Sequence, residues 1–259
     1  MEPILLFILY SILLIAVSLV AAYLPMAGHM KDERAHMMIA LSTGIFIGLL
    51  MFMLMPEGVE ESEEGGIDVH YAMIALAAGF LVIMVVDHFL KQRHMLTCGC
   101  GAHDDHHEHR LVSASSFVGL AIHAACDGLA LAAMFIAGSE VGLMATIGIC
   151  IHKFAELFSL SSTMLMSDLD KRKAMIRLGI FSLITPVAGL LCFLLFSDME
   201  MEGVLGIPLM FAAGTLLYVT ACNMVPESFH REQGLKPVAL VLIGVALMLA
   251  VALLFPHSH

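Results

Sequence analysis

Two stretches near the middle of this 259-residue chain carry paired ionisable side chains in apolar surroundings. The first reads His123-Ala124-Ala125-Cys126-Asp127-Gly128 and the second His152-Lys153-Phe154-Ala155-Glu156. Residues four apart share one face of a helix, so each stretch presents an imidazole and a carboxylate one turn apart. Two neutral imidazoles and two carboxylates form a four-ligand set for a divalent metal. The set suits zinc in tetrahedral geometry, and also Fe2+, Mn2+, Co2+ or Cd2+. Cys126 adjoins Asp127, but no thiolate cluster lies at this depth to favour Cu(I). A bound M2+ would neutralise two carboxylates that could not both stay charged in a dry interior. The competing reading is structural, two His–carboxylate pairs tying helices together; the match between consecutive helices favours metal.

The elements that must hold these residues are membrane helices. Hydrophobic residues make up 60% of the chain and charged ones 14%, against roughly a quarter charged in soluble domains. A spanning helix needs about 20 mostly apolar residues. Eight such segments are read at 3–25, 35–57, 69–91, 111–137, 141–166, 174–197, 204–226 and 236–255, forming a single transmembrane domain over 1–259. They are too long and too continuously apolar for strands of a barrel, the other way to satisfy backbone groups in lipid. The expected fold is therefore an all-α polytopic membrane protein with eight transmembrane helices. The first segment lacks a basic region before its apolar run, which is also too long for a signal peptide, so it is read as a retained helix. Both motifs fall well inside their segments. Ionisable groups are expensive at that depth and usually mark an ion or proton path.

The charges set the orientation. Of twelve Lys and Arg, eleven lie in or beside alternate loops: Lys31 and Arg34; Lys91, Arg93 and Arg110; Lys171, Arg172, Lys173 and Arg177; Arg231 and Lys236. The intervening loops carry acids instead, among them Glu60, Glu61, Glu140 and Glu200. Basic loops stay cytoplasmic, which puts both termini outside. The net charge of −11 owes much to the outer acids, which would attract cations. The absence of a basic patch argues against nucleic acid as a partner. Cys126, Cys150, Cys192 and Cys222 lie within helices, and Cys98 and Cys100 on the reducing side, so no disulfide framework is expected.

Helices 2 and 7 resemble one another: Gly44 precedes Pro56-Glu57, and Gly214 precedes Pro226-Glu227, by the same twelve positions. The two run in opposite directions across the membrane. Inverted repeats of this kind mark secondary transporters, with the substrate site at the repeat interface. A 3+2+3 arrangement would leave helices 4 and 5 in the middle.

At these residues the chain resembles the ZIP (zinc- and iron-permease) family. The likeness extends to eight helices, outward termini, a His-rich loop between helices 3 and 4, and Pro-Glu ends on helices 2 and 7. It implies that His123, Asp127, His152 and Glu156 form the transport site, that the metal enters the cytosol, and that the central helices move relative to the flanking ones. Many family members carry further ligands for a second, bridged metal. Here those positions are Ala124, Lys153 and Thr185, so the likeness implies one metal. The His-Ala and His-Lys pairing is similar to the branch found in the Golgi of animals. Lys153, the cation of the membrane interior, is expected to replace the second metal's charge by pairing with Glu156 or Asp127.

Other expectations follow. Glu57 at the outer end, and Asp87, His88, Cys222 and Glu227 toward the inner end, are candidate path residues. The cytoplasmic His-rich loop 92–110 holds Cys98, Cys100, His103, His106, His107 and His109, a composition that binds metal and suits an acceptor of imported ion. The function expected is transport of a divalent metal ion, foremost Zn2+ as substrate, toward the cytosol. The alternative from another class is an intramembrane zinc-dependent hydrolase using the same His/Asp set with an open position for water. Expected partners are divalent metal ions, the lipid bilayer and a second copy in a homodimer. The expected location is the cell (inner) membrane, with an internal membrane as the other candidate.

Overall fold

The structure, a computed structural model, describes residues 3–27, 32–98, 105–137, 139–166, 170–196, 205–229 and 234–254. Among the described residues the regular elements are helices throughout. α1 is Pro3–Met26. α2 comprises Asp32–Leu49, a π-helical turn Leu50–Leu54 and a continuation Met55–Glu64. α3 is Val69–Cys98, α4 Asp105–Ala137 and α5 Ser139–Met166. α6 runs Lys171–Ser182 and, after a break at Leu183, Ile184–Phe196. α7 comprises Gly206–Tyr218, a π-helical turn Val219–Met224 and Val225–Phe229. α8 is Leu235–Leu254.

Seven stretches among the described residues are long and apolar enough to cross a membrane: Ile4–Met26, His36–Glu64, Val69–Phe89, Phe117–Ile136, Lys171–Leu195, Gly206–Phe229 and Leu235–Leu254. α5, with 28 residues, is as long and carries the second ionisable motif. The chain is an integral multi-pass membrane protein.

Several boundaries differ from the sequence reading. The interval 92–110 is not one loop: α3 continues to Cys98 and α4 begins at Asp105. Lys, Gln, Arg, Met and Leu around residues 91–96 are good helix formers, so the helix continues where hydropathy stops. α2 likewise continues past Glu57 to Glu64. A proline inside a helix lacks an N–H and clashes with the carbonyl four residues earlier. Those carbonyls belong to Phe52 and Cys222, each inside a π-helical turn, and the wider turn lets the helix pass the proline. At the start of α3, Asp68 accepts from the His70 backbone N–H at 2.8 Å. That donor, with the His70 ring, holds the Asp68 carboxyl below its ordinary range.

In the apolar windows of α1, α3 and α8, 28%, 22% and 17% of residues are buried, against 61%, 61% and 67% in α2, α4 and α7. The first three helices are therefore peripheral. Their outward side chains, such as Ile12, Ile74 and Leu242, are exposed, as suits a surface solvated by lipid. The interior includes buried polar groups such as Thr43, Ser159, Ser161, Thr215 and Asn223. Lipid supplies little driving force between apolar faces, so close backbone approach and interhelical hydrogen bonds must hold such a bundle. Gly44 on α2 lies against the Val241 carbonyl of α8, and Gly214 on α7 against the Leu76 carbonyl of α3. Ser161 of α5 donates to the Ala22 carbonyl of α1 at 2.7 Å. Thr185 of α6 donates to the Ala124 carbonyl of α4 at 2.9 Å. Thr43 of α2 meets Ser228 of α7, hydroxyl to hydroxyl, at 2.8 Å.

Candidate metal centre

The two central motifs converge because α4 and α5 pack side by side and turn their ionisable faces toward each other. Gly128 helps set α4 at this depth: its missing β-carbon makes room for the Thr185 carbonyl of α6. His123, Asp127, His152, Lys153 and Glu156 are all buried, none more than 8% exposed.

Asp127 is the hub. Its Oδ1 lies 3.5 Å from His123 Nε2, and its Oδ2 lies 3.2 Å from His152 Nε2 and 2.9 Å from Lys153 Nζ. The His123 and His152 rings are 6.1 Å apart between centroids. Ligand atoms of His123, Asp127 and His152 lie within 4.8 Å of one another. Two nitrogens and an oxygen at that spacing can close on a single divalent cation with little movement.

Glu156 stands differently. Its Oε2 accepts from Lys153 Nζ, one turn back on the same helix, while Oε1 is buried with no hydrogen-bond partner among the described residues. Lys153 therefore bridges the two carboxylates, and its Nζ also lies 5.7 Å from the Phe181 ring centroid, a cation–π contact. Buried ions persist only when paired and hydrogen-bonded, and this arrangement leaves two carboxylates and one ammonium with a formal charge of −1. Of the three positions where the likeness implied lost ligands, Lys153 is part of the cluster, while Thr185 is hydrogen-bonded to the carbonyl of Ala124, the residue after His123.

The remaining sequence candidates are dispersed. Glu57 is half-buried where α2 resumes after its π-helical turn. Asp87 is buried and accepts from the Tyr218 hydroxyl at 2.9 Å. His88 is exposed, its ring in a T-shaped contact with that of Phe89. Cys222 is exposed within the α7 π-helical turn and Glu227 is buried just beyond it. Cys100 and His103 lie outside the described residues, as do the side chains of Cys98, His106, His107 and His109. Sequence reasoning missed Phe181 and Tyr218. An apolar helix offers no signal for Phe181, whereas a lone tyrosine within an apolar span was a signal that a polar partner awaited it.

A family model described as ZIP Zinc transporter matches residues 91–252. That is more than half of the chain and takes in all five residues of the central cluster.

The chain belongs to the ZIP zinc transporter family.

Similar proteins extend the match across the remaining helices. Zinc transporter ZIP9 of Micropogonias undulatus is 25% identical over 308 residues, covering 97% of each chain. Zinc transporter ZIP9 of Xenopus tropicalis is 26% identical over 269 residues, 88% of this chain and 87% of its own. The ZIP9 of Macaca fascicularis is 34% identical over 116 residues, 42% of this chain and 49% of its own. Membership of the ZIP family makes this protein a transporter rather than an enzyme, which sets the hydrolase alternative aside.

Proposed function

We propose that this ZIP protein moves a divalent metal ion toward the cytosol through one intramembrane site formed by His123, Asp127, His152 and Glu156. The observation that carries the reading is the convergence of two imidazoles and a carboxylate at ligand spacing in a buried volume. Glu156 is the fourth donor. An acceptor buried without a partner costs about 1–3 kcal/mol, and an incoming cation at Oε1 relieves that cost. Zinc stands first because the relatives are named zinc transporters; Fe2+, Mn2+, Co2+ and Cd2+ fit the same N/O donors. The site takes one metal, since the Lys153 ammonium occupies the place of a second charge.

The helices form a 3+2+3 inverted repeat with both termini outside. Exchanging helices 1–3 with 6–8, and α4 with α5, turns the α2–α8 crossing at Gly44 into the α7–α3 crossing at Gly214. The same exchange turns the α1–α5 pair, tied by Ser161, into the α6–α4 pair, tied by Thr185, with the donor on the central helix in the first and on the flanking helix in the second. The π-helical turns before Pro56 and Pro226 are a matching pair. Glu57 receives the ion from outside; Asp87, His88, Cys222 and Glu227 serve the inner route, and the Cys/His-rich segment 98–109 accepts ions in the cytosol. The working assembly is a homodimer in the cell membrane, or in an internal membrane in the manner of the Golgi branch.

The test is zinc uptake into proteoliposomes by wild type beside His152→Ala, with bound metal counted in detergent. Saturable uptake and one bound zinc, both lost in the variant, are expected. Bound metal without uptake, or uptake indifferent to His152, would overturn the proposal.

A further inference from the structure

We propose that Lys153 is a tethered competitor of the transported ion: its ammonium occupies the metal-facing carboxylate of Asp127 in the empty site and retakes it when the ion leaves. This rests on the metal-site reading above and deepens it, from which residues bind the ion to what limits how tightly they hold it.

One atom of the cluster is shared. Asp127 Oδ2 is 2.9 Å from Lys153 Nζ and 3.2 Å from His152 Nε2, so the oxygen nearest the His152 ligand is the one the ammonium holds. A metal bound to a carboxylate sits about 2.0–2.2 Å from the oxygen, which would put it and an unmoved ammonium within a few ångströms of each other. Like charges at that separation in a buried site repel too strongly to coexist, so the ammonium must withdraw from Asp127 when the metal arrives. It is not expelled to solvent, because two footholds remain. Glu156 Oε2 holds it from three residues along the same helix, and the Phe181 ring faces it at 5.7 Å.

Glu156 Oε1, buried and without a hydrogen-bond partner among the described residues, remains open to the metal while Oε2 keeps the ammonium. The lysine therefore waits one carboxylate away. Its formal contribution is just as direct: the cluster goes from −1 to +1 on binding M2+, whereas without Lys153 it would go from −2 to neutral. Transport requires a site strong enough to load and weak enough to release. A mobile internal cation meets both demands, covering the carboxylates when the site is empty and weakening it when full. Lys153 acts through Asp127 and Glu156 and is a positioning residue, not a ligand.

The experiment measures zinc affinity by chelator competition on the purified full chain in detergent, and zinc uptake kinetics in proteoliposomes, for wild type, Lys153→Met, Lys153→Gln and Lys153→Arg. Lys153→Met is expected to bind one zinc about tenfold more tightly or better, with a lower KM and a lower maximal rate. Lys153→Gln, whose amide can hydrogen-bond both carboxylates, must move affinity the same way and guards against loss of fold in the methionine variant. Lys153→Arg keeps the charge and is expected to restore wild-type affinity. Neutral variants that bind zinc equally or more weakly, with His152-dependent binding intact in wild type, would overturn the competitor role alone. Wild-type zinc binding that ignores His152→Ala would overturn both this role and the site it rests on.

Discussion

Replacing Gly44 or Gly214 with alanine sets two physical effects against each other with opposite signs. In a helix interior the change alone stabilises by about 0.8–1.0 kcal/mol, because alanine has less backbone freedom to lose. In this fold each glycine sits at a helix crossing. A β-carbon at Gly44 would fall on the Val241 carbonyl oxygen, with the carbonyl carbon at 2.7 Å and Cα at 2.9 Å. At Gly214 it would fall on the Leu76 carbonyl oxygen, with the carbonyl carbon at 2.8 Å and the Phe80 nitrogen at 2.9 Å. These obstructing atoms are all main chain, so none can rotate aside. The partner helix must retreat by roughly 1 Å, and a gap of that size forfeits a quarter to a half of each dispersion contact along the crossing. Overpacking costs about 1–3 kcal/mol, and a clash with main chain that cannot rotate aside falls toward the upper end, so a net loss of up to about 2 kcal/mol is expected after the alanine gain. Thermal unfolding of each variant in detergent, followed beside wild type, reads the sign directly. Both variants should unfold at lower temperature by similar amounts. Chelator competition should find zinc affinity unchanged, since neither glycine touches the central cluster. A raised Tm in either variant would refute the packing argument, and a drop in only one would refute the equivalence of the two crossings.

Asp127→Asn removes the negative charge that His152 and Lys153 share. It should weaken zinc binding at least a hundredfold by a rough lower bound taken from losses at supporting residues, and lower stability by about 3–5 kcal/mol because a buried ion pair is broken from one side; isothermal titration and denaturant unfolding check the two parts. Tyr218→Phe keeps the ring that packs edge-on against Phe80 but removes the hydroxyl that donates to Asp87. It should cost about 1.5–3 kcal/mol while leaving one zinc bound per chain, as counted by metal analysis. His152→Ala, the test of the proposed site, should lose both bound zinc and uptake.

What the sequence determined by itself is what depends on near neighbours. Apolar runs of about 20 residues can satisfy their backbones in lipid only as helices, and four-residue spacing puts His123 with Asp127 and His152 with Glu156 on single faces. The Pro-Glu pairs of helices 2 and 7 were visible, but not that Pro56 and Pro226 would each follow a π-helical turn and let their helices continue. That outcome depends on hydrogen bonds the backbone exchanges locally, which hydropathy does not register. The extension of α3 to Cys98 escaped because its end was drawn where hydropathy stops, whereas the helix formers around residues 91–96 carry it on. The inner arrangement of the centre was decided by tertiary structure alone. Four ligands read as equivalent from spacing became a cluster of three, with Glu156 held by the lysine one turn back. The interhelical distance between α4 and α5 places Lys153 within reach of Asp127, 26 positions earlier in the chain, and α6 places Phe181 beneath the same ammonium. A buried cation takes whichever anions lie within about 3 Å when the bundle closes. That distance is a property of packed helices, and no single helix encodes it.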